Sequence, residues 1–330
     1  MVKRGITLGM GEKTKDGLRQ TVDAPFGKAL VELANRRTDI VGLSADLAKY
    51  TDILPFKDAY SERFFNVGMA EQNLIAVSAG LAKSGFAAYC TTYGVFATRR
   101  AYDFIAIACA HSQANVKIFA GLPGLTTGYG GTHQAIEDLA LMRMIPGLVV
   151  IDPCDATELE QVVHTVADYP GPAYVRLLRG LVPRVFNPVT HQFKIGRGYV
   201  LRSGGSLGMI STGLMTERAL DAASELSRQG IEVSILHMPT IKPFDDQTVI
   251  EFSKEMKELI TLENHVVTGG LGSMVAETLF AAGIVRPLQR IGIPDRFMEC
   301  GSLPFLQKKC GMTVSQIVKF TQNQIKWRKS

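Results

Sequence analysis

The residue whose setting most suggests chemistry is Glu71, which stands where an apolar strand-like run gives way to an apolar helical run. The surrounding stretch reads NVGMAEQN over residues 66–73. A carboxylate at that junction lies near the first turn of the helix, at the carboxyl edge of the sheet, where α/β proteins bind ligands. The same position suits a structural glutamate, because the positive end of the helix dipole stabilises negative charge. The local sequence leaves both interpretations open.

Two aromatic residues and a histidine follow along the chain. Tyr93 and Phe96 lie beside a glycine in TTYGVF. They could form a stacking platform for a planar ring, although buried aromatics are common and a core role is the simpler interpretation. His133 follows a glycine-rich loop in GYGGTHQ, a setting more typical of a cleft than of a helix interior. Three other histidines have no such setting and are expected at the surface or in structural roles: His111, His164 and His191.

Two further positions could bind anions. Arg179 ends a strand-like run in RLLRG, where it could grip a phosphate or form a structural salt bridge. Gly269, Gly270 and Gly272 lie between a strand and a helix, a spacing that suggests an anion-binding turn. A tight turn with a helix cap is the more common reason for such a cluster.

The elements that position these residues alternate between β-branched runs and segments of helical period, which predicts mostly parallel sheets with helices on both faces. In the first half, strands are predicted at 39–43, 63–67, 86–93, 114–120, 148–152 and 173–178, with helices at 70–83, 97–110 and 155–168. Residues 183–193 contain two prolines and interrupt the pattern, which then restarts. We therefore predict two α/β domains, at 1–188 (including an N-terminal extension) and at 189–330.

Composition limits the class of protein. The 330 residues are 46% hydrophobic and 20% charged, which is typical of a folded globular chain. The net charge of +5 (36 − 31) is too diffuse to indicate nucleic-acid binding. No apolar run is long enough to cross a membrane, and the N-terminus lacks the apolar stretch of a secretory signal. The five cysteines form no C-x-x-C pair, so we expect no disulfide framework, no zinc site and a cytoplasmic location.

Seven segments occur together and in order, and their combination resembles the C-terminal half of transketolases and of the similar deoxyxylulose-phosphate synthases. They are DAPFGKALVEL, VGLSADL, RFFNVGMAEQNLIAVSAGLA, TTYGVFATRRAYDFI, GGTHQAIEDLALMRMIPGLVV, DPCDATELEQVV and GGLGSMVAETL. The pairing of NVGMAEQ with GGTHQ is the most specific feature. The resemblance implies a thiamine-diphosphate-binding-type pyrimidine domain, followed by a smaller transketolase C-terminal-like α/β domain.

The resemblance also implies catalytic and cofactor-binding roles. Glu71 matches the glutamate that hydrogen-bonds N1′ of the aminopyrimidine of thiamine diphosphate. A carboxyl group there favours the imino tautomer, whose nitrogen takes the proton from C2 of the thiazolium. Tyr93 matches the aromatic residue that stacks on the pyrimidine, and Phe96 lies beside it. His133 matches a histidine that touches substrate oxygens.

Substrate-binding roles are implied at the same edge. Arg179 matches an arginine that binds the sugar phosphate, and Ser44, in GLSADL, matches a serine of the same region. Asp46 is expected near a dimer interface. Tyr129 stands where many family members have an aspartate that contacts a substrate hydroxyl. The stretch FAGLPG before it also lacks the usual histidine or arginine, so we expect an unusual sugar or a donor with a different anionic tail.

The resemblance does not extend to the diphosphate-binding domain. That domain carries a Gly-Asp-Gly motif and a downstream Asn, which ligate the Mg²⁺ bound to thiamine diphosphate. This sequence has no such motif, and Lys15-Asp16-Gly17 is the nearest match. The resemblance thus implies a split transketolase, a transferase in which a partner subunit supplies the diphosphate and Mg²⁺ sites and this chain supplies no metal ligand. We expect an α2β2 heterotetramer acting on sugar phosphates, with neither nucleic acid nor membrane as a partner.

Three alternatives stay open. The β subunit of a 2-oxo-acid dehydrogenase E1 component has the same two-domain plan and also needs a partner, but its histidine loop usually reads H-S-Q. Deoxyxylulose-phosphate synthase is normally one unsplit chain. A non-catalytic binding module with this fold is the third, and retention of Glu71, Tyr93 and His133 argues against it.

Overall fold

A computed structural model describes residues 19–327, and the expectations for the extreme N-terminus fall outside this range. The first half contains, in chain order, β1 (Thr21–Asp23), α1 (Pro25–Ala34), β2 (Ile40–Ser44), α2 (Leu54–Ala59), β3 (Phe64–Asn66), α3 (Glu71–Lys83), β4 (Ala87–Tyr93), α4 (Gly94–Arg100), α5 (Tyr102–Phe104), β5 (Val116–Gly121), α6 (Asp138–Arg143), β6 (Val149–Ile151), α7 (Ala156–Asp168), β7 (Ala173–Leu177) and β8 (Leu181–Pro183).

The second half follows the same alternation. Its elements are β9 (Tyr199–Arg202), β10 (Leu207–Ser211), α8 (Met215–Arg228), β11 (Ser234–His237), β12 (Thr240–Lys242), α9 (Asp246–Lys254), β13 (Glu258–Val266), α10 (Leu271–Ala281), β14 (Leu288–Ile293), α11 (Leu303–Lys309) and α12 (Val314–Trp327). None of the described helices combines the length and apolarity that a bilayer crossing requires.

Two large, mostly parallel sheets organise these elements, as predicted, and β1 and β8 form a separate antiparallel pair. Among the described residues, seven strands form the larger sheet in the order β12-β6-β7-β5-β4-β2-β3, and all are parallel except β12. Five strands form the other sheet in the order β14-β13-β10-β11-β9, parallel except for β9. The chain is a two-domain α/β protein. One connection was not predicted: β12 belongs to the second half by sequence but pairs antiparallel with β6, so the two halves share a sheet edge.

Continuous burial explains the central strands. Every residue of β2, β4, β5 and β7 is buried, as expected for parallel strands covered on both faces. On one face Phe26 of α1 and Leu159 of α7 belong to the same core cluster as Phe119 of β5. On the other face Leu74 and Ile75 of α3 pack in a second cluster.

The segment predicted as the linker is packed rather than loose. Asp155 caps α7, because its Oδ1 accepts a hydrogen bond from the Glu158 amide at 2.8 Å. Its Oδ2 also accepts from the amides of Val185 and Phe186, at 2.7 and 2.8 Å. His191 lies 2.9 Å from a Glu158 carboxylate oxygen, a structural role as expected.

The prediction of one helix over 97–110 was wrong: α4 and α5 are followed by a π-helical stretch.

Candidate active site

The residues singled out in the first half gather at one edge of the larger sheet. Ser44 ends β2 and Tyr93 ends β4, while His133 lies in the loop after β5 and Arg179 lies two residues beyond β7. These strands are parallel and adjacent, so their carboxyl ends share an edge, the usual ligand-binding position in this class of fold.

Aromatic rings form the centre of this edge. The Tyr93 and Phe96 ring centroids are 5.7 Å apart, and the His133 ring lies 6.2 and 5.4 Å from them, edge-on. The Tyr129 ring is 5.2 Å from His133 on the outer side and is 66% exposed. The Thr132 hydroxyl lies 2.8 Å from Nδ1 of His133, which leaves Nε2 as the ring nitrogen for another partner.

Glu71 is buried at the start of α3 and holds an unexpected partner. Its side chain is 4% exposed, and Nη1 of Arg100 donates to its two oxygens at 3.2 and 3.3 Å. The Arg100 guanidinium also lies 4.0 Å from the centroid of the Phe96 ring. Arg100 was not predicted, although its position four residues after Phe96 is the helical spacing that brings a cation over a ring.

This arrangement indicates what kind of ligand the pocket accepts. A guanidinium is flat, delocalised and rich in N–H donors. Here such a group lies against Phe96 while donating to a buried carboxylate. A planar heterocycle with nitrogen at its edge satisfies the same two contacts. The Phe96 ring and the buried Glu71 carboxylate are therefore chemically compatible with a planar nitrogen heterocycle such as an aminopyrimidine.

Arg179 and Asp52 adjoin the aromatic centre. Burial raises the pKa of Tyr93, and the positive charge of Arg179 acts in the opposite direction. Burial likewise raises the pKa of Asp52, although the Gly180 amide and Arg179 favour its charged form. Asp52 accepts a hydrogen bond from the Gly180 amide at 2.5 Å and so fixes the turn that follows Arg179. Asp52 was not predicted from the sequence, because its partner is 128 residues away.

Ser44 lies at the same edge but is not open to it. Its side chain is fully buried, and its Oγ accepts a hydrogen bond from the Leu47 amide at 3.1 Å. Asp46, two residues on, has a positive φ of 59° and binds Asn66 through both its amide and its carboxylate. Ser44 therefore stabilises this turn, and its role toward a sugar phosphate stays a prediction.

The histidine loop is fixed by the second domain. The Gly301 amide donates to the Gly128 carbonyl at 3.1 Å, and Nε2 of Gln134 donates to the Glu299 carbonyl at 3.3 Å. Gly130 has a φ of +75°, and a Cβ there would lie 3.0 Å from Sγ of Cys300. Glycine is favoured at this position, since a side chain would strain the backbone and would crowd Cys300.

A buried ionic network lies beneath this loop. Nε of Arg176 donates to Asp138 at 2.8 Å, and its Nη1 lies 3.4 Å from Asp152 and 3.2 Å from the Asn264 carbonyl. The Asn264 side chain in turn accepts from the Leu125 amide at 3.1 Å. The network thus links β7, β13 and the start of the loop that carries His133.

The glycine-rich turn at 269–272 already binds a side-chain carboxylate from the same chain. The Glu263 carboxylate accepts from the amides of Leu271 and Gly272, at 2.7 and 2.9 Å. Burial raises the pKa of Glu263 to about 7, although these amides favour its charged form. The suggestion of an external anion at this turn was therefore wrong, and the helix-cap interpretation is correct. Within residues 19–327, no group of three His, Cys, Asp or Glu residues is placed to hold a metal ion.

Comparison with known proteins defines the class. The family model of the transketolase pyrimidine-binding domain matches residues 20–185, and that of the transketolase C-terminal domain matches residues 196–317. The chain belongs to the transketolase family, whose members depend on thiamine diphosphate.

Individual relatives are similar over most of the chain. A transketolase family protein of Sinorhizobium fredii is 50% identical over 301 residues, covering 90% of this chain and 87% of its own length. A protein of a Clostridium species, named 6-deoxy-6-sulfo-D-fructose transketolase subunit SqwH, is 38% identical and covers 88% and 90%. A solved structure titled "Split gene transketolase, inactive beta4 tetramer" is 40% identical, covers 92% and 98%, and superimposes with a TM-score of 0.84.

Proposed function

We propose that this chain is one subunit of a split transketolase, which transfers a two-carbon ketol unit from a ketose phosphate to an aldose acceptor. The observation that carries the proposal is the buried Glu71 carboxylate, linked through Arg100 to the Phe96 ring, at the ligand edge of a transketolase pyrimidine-binding domain. The likeness to a split-gene transketolase over 98% of that chain supports the division into subunits.

A partner subunit completes the site in this proposal. It carries the diphosphate-binding domain and the Mg²⁺ ligands, and the assembly is an α2β2 heterotetramer in the cytoplasm. Exposed apolar side chains next to the site support a protein partner, since Met69 is 82% exposed and Phe65 is 41% exposed just before α3. The family models match a pyrimidine-binding domain and a C-terminal domain, and neither of these is the diphosphate-binding domain assigned to the partner.

The residues of this chain have distinct tasks. When bound, thiamine diphosphate supplies the electron sink on which a carbon–carbon bond of the ketose breaks. Glu71 shares a proton with N1′ of the aminopyrimidine, once Arg100 has moved off the carboxylate. Tyr93 and Phe96 hold the ring and exclude water. His133 meets substrate oxygens through Nε2, because Thr132 engages its Nδ1.

Reconstitution tests this function. The chain purified alone should show no ketol transfer and weak cofactor affinity, whereas mixing it with a diphosphate-domain subunit should restore both. Glu71→Ala should abolish turnover of the pair while leaving assembly intact, as measured by light scattering. Glu62→Ala is the matched control, because this carboxylate is 71% exposed. Robust activity of the chain by itself would contradict the split-enzyme proposal.

The donor sugar belongs to the same proposal. Tyr129 stands at the outer face of His133, where many transketolases have an aspartate, so we propose a donor other than the usual pentose phosphates. The relative named for 6-deoxy-6-sulfo-D-fructose supports a changed anionic tail. Steady-state assays with xylulose 5-phosphate against other anionic ketoses would decide, and full activity on the standard donor would refute the proposal. Pyruvate decarboxylation with a lipoyl acceptor and no ketol transfer would favour the E1 alternative.

A further inference from the structure

One arginine, Arg99 on α4, binds the loop that carries His133 at two points. Its Nη1 donates to the Gly131 carbonyl at 3.0 Å, and its Nη2 donates to the Gln134 carbonyl at 3.4 Å. In the sequence these two carbonyls lie on either side of Thr132 and His133. Arg99 therefore holds the backbone both before and after the histidine of the candidate site.

A carboxylate sets the direction of this guanidinium. Both oxygens of Glu137 accept from Arg99, one from Nε and the other from Nη2 at 2.9 Å. A two-point pair of this kind fixes the plane of a guanidinium, which a single contact does not. The Phe297 ring of the second domain lies 5.5 Å from the same group. Arg99 thus reaches the loop in an orientation that its neighbours determine.

The helix that carries Arg99 also carries an aromatic residue of the site. Phe96 lies three residues before Arg99 on α4, and its ring centroid is 5.4 Å from that of His133. Arg100, the next residue, pairs with Glu71. Helix α4 therefore meets the histidine loop in two ways, through the Phe96 ring and through the bonds that Arg99 makes to the backbone. Groups on such packed elements are placed more precisely than groups on loops.

We infer that Arg99 is a positioning residue for the donor sugar, which acts by fixing the loop that places His133 beside the aromatic rings of the site. This role rests on the proposed function, in which His133 meets substrate oxygens. The amides of His133 and Gln134 both bond to the Gly130 carbonyl, at 2.9 and 3.1 Å. Those bonds lie within the loop, so they set its shape and not its place. The second domain fixes the start of the loop at Gly128, and Arg99 fixes the part that carries the histidine.

Donor kinetics of the assembled enzyme with Arg99→Met test this role. Methionine keeps much of the side-chain volume but donates no hydrogen bond to either carbonyl. The kcat/KM for the donor should fall at least about 10-fold, since a misplacement of about 1 Å can cost a factor of about 100. The affinity for thiamine diphosphate should change less than about twofold, because the buried carboxylate and the aromatic rings are left in place. An unchanged kcat/KM would overturn the role.

Arg143→Met is the matched control. Arg143, at the end of α6, also donates to a backbone carbonyl, that of Gly269 at 2.9 Å, and also pairs with a carboxylate, that of Glu277. Its contacts hold the glycine-rich turn and not the histidine loop. Arg143→Met should therefore leave kcat/KM within about twofold of wild type. A loss as large as that of Arg99→Met would show that removing any such arginine harms the enzyme, and would overturn a specific role for Arg99.

A double-variant cycle with His133 separates positioning from a general loss of structure. In a His133→Ala background, Arg99→Met should lower the residual kcat/KM less than about twofold, because the group that it positions is gone. Equal losses in both backgrounds would overturn the role. Glu137→Gln is a milder second variant, since it keeps the arginine and removes only the charge that orients it. Its smaller loss should disappear in an Arg99→Met background, and full additivity would contradict an action through Arg99.

Hydrogen exchange of the full chain gives a readout that needs no turnover. Peptides that span residues 128–134 should exchange at least about 10-fold faster in Arg99→Met, while those of β4 and β5 should keep the wild-type rate. Unchanged exchange in the loop would overturn the role of Arg99 even if the enzyme is an active transketolase. No ketol transfer by the wild-type assembly with any donor would overturn the proposed function instead, and the exchange rates would still report whether Arg99 fixes the loop.

Discussion

Replacing Arg176 by methionine should destabilise the protein strongly and in a pH-dependent way. The side chains of Arg176 and Asp138 are 1% and 0% exposed, and Asp152 completes the cluster at 5%. Methionine fills most of the space, so the cost comes from charge rather than from a cavity. Without the guanidinium, Asp138 keeps the Tyr174 hydroxyl as a donor at 2.8 Å but has no positive partner.

The magnitude follows from burial. Removing one partner of a buried ion pair typically costs about 3–5 kcal/mol, because the remaining charge stays desolvated. That is a large part of the roughly 5–15 kcal/mol by which folded domains are stable. At about 2–4 °C per kcal/mol for chains of 150–250 residues, the melting temperature should fall by roughly 10 °C.

The pH dependence gives a sharper test. Burial alone would raise the pKa of Asp138, but the Arg176 guanidinium outweighs burial and lowers it. In the wild type this carboxylate stabilises the fold above the pKa of an unfolded aspartate, and the contribution is lost as pH falls through the folded pKa. In Arg176→Met burial is opposed only by the Tyr174 hydroxyl and by His265, so the carboxyl pKa should rise above its wild-type folded value. Lowering the pH from 7 to about 4 should therefore narrow the gap between variant and wild type.

Urea denaturation followed by circular dichroism at several pH values would measure both effects. The double variant Arg176→Met/Asp138→Leu should recover part of the stability, since it removes the Asp138 charge and leaves only Asp152 without its ionic partner. A loss below about 1 kcal/mol, or a loss that does not change with pH, would refute the reasoning. The loop that carries His133 should also loosen, because Arg176 holds the carbonyl of Asn264.

Three further predictions concern single positions. Arg100→Met should strengthen thiamine diphosphate binding by up to about fivefold in calorimetry. The reason is that the ion pair between half-exposed Arg100 and Glu71 no longer has to be broken. Binding weakened tenfold would instead show that Arg100 contacts the cofactor directly. Gly130→Ala should lower kcat of the assembled enzyme at least about 10-fold by displacing the histidine loop, whereas Gly230→Ala, at a similar φ of +76° in open space, should not. Lys117 is fully buried, and burial lowers its pKa to about 7. Between pH 7 and 10.5 the lysine is therefore protonated in the unfolded chain but not in the folded one. This difference should make the free energy of unfolding rise with pH by up to about 1.4 kcal/mol per pH unit. Lys117→Met should remove this contribution, so the slope in urea titrations should fall relative to wild type, and an unchanged slope would contradict the assignment.

The strand ends that carry the site were predictable from sequence because they follow local rules. Tyr93 closes a run of apolar, aromatic and β-branched residues and Glu71 opens an amphipathic helix, so parallel pairing alone brings both to one edge. Arg100 and Asp52 were not predictable in the same way. Each acts on a partner far along the chain, and only the packed structure shows which carboxylate or amide it meets.

The largest gap between sequence and structure is in the contacts between domains. Thr240 sits in a three-residue strand that pairs with β6 of the other half, and three residues give no periodicity to detect. The Glu263 carboxylate occupies the glycine turn because the chain folds back after β13, which a spacing pattern does not encode. Phe186 was part of the expected linker but is buried in the core of the second domain.

The exposed apolar side chains around Met69 have a consequence for the cell. Under the proposed assembly, partner subunits cover these side chains, so every unassembled copy exposes an apolar surface that favours aggregation. Chaperones and proteases act on such orphan chains, and aggregation competes with assembly when they accumulate. We therefore expect the steady amount of this protein to follow the supply of its partner rather than its own rate of synthesis. Balanced production of the two chains then becomes part of what keeps the enzyme active.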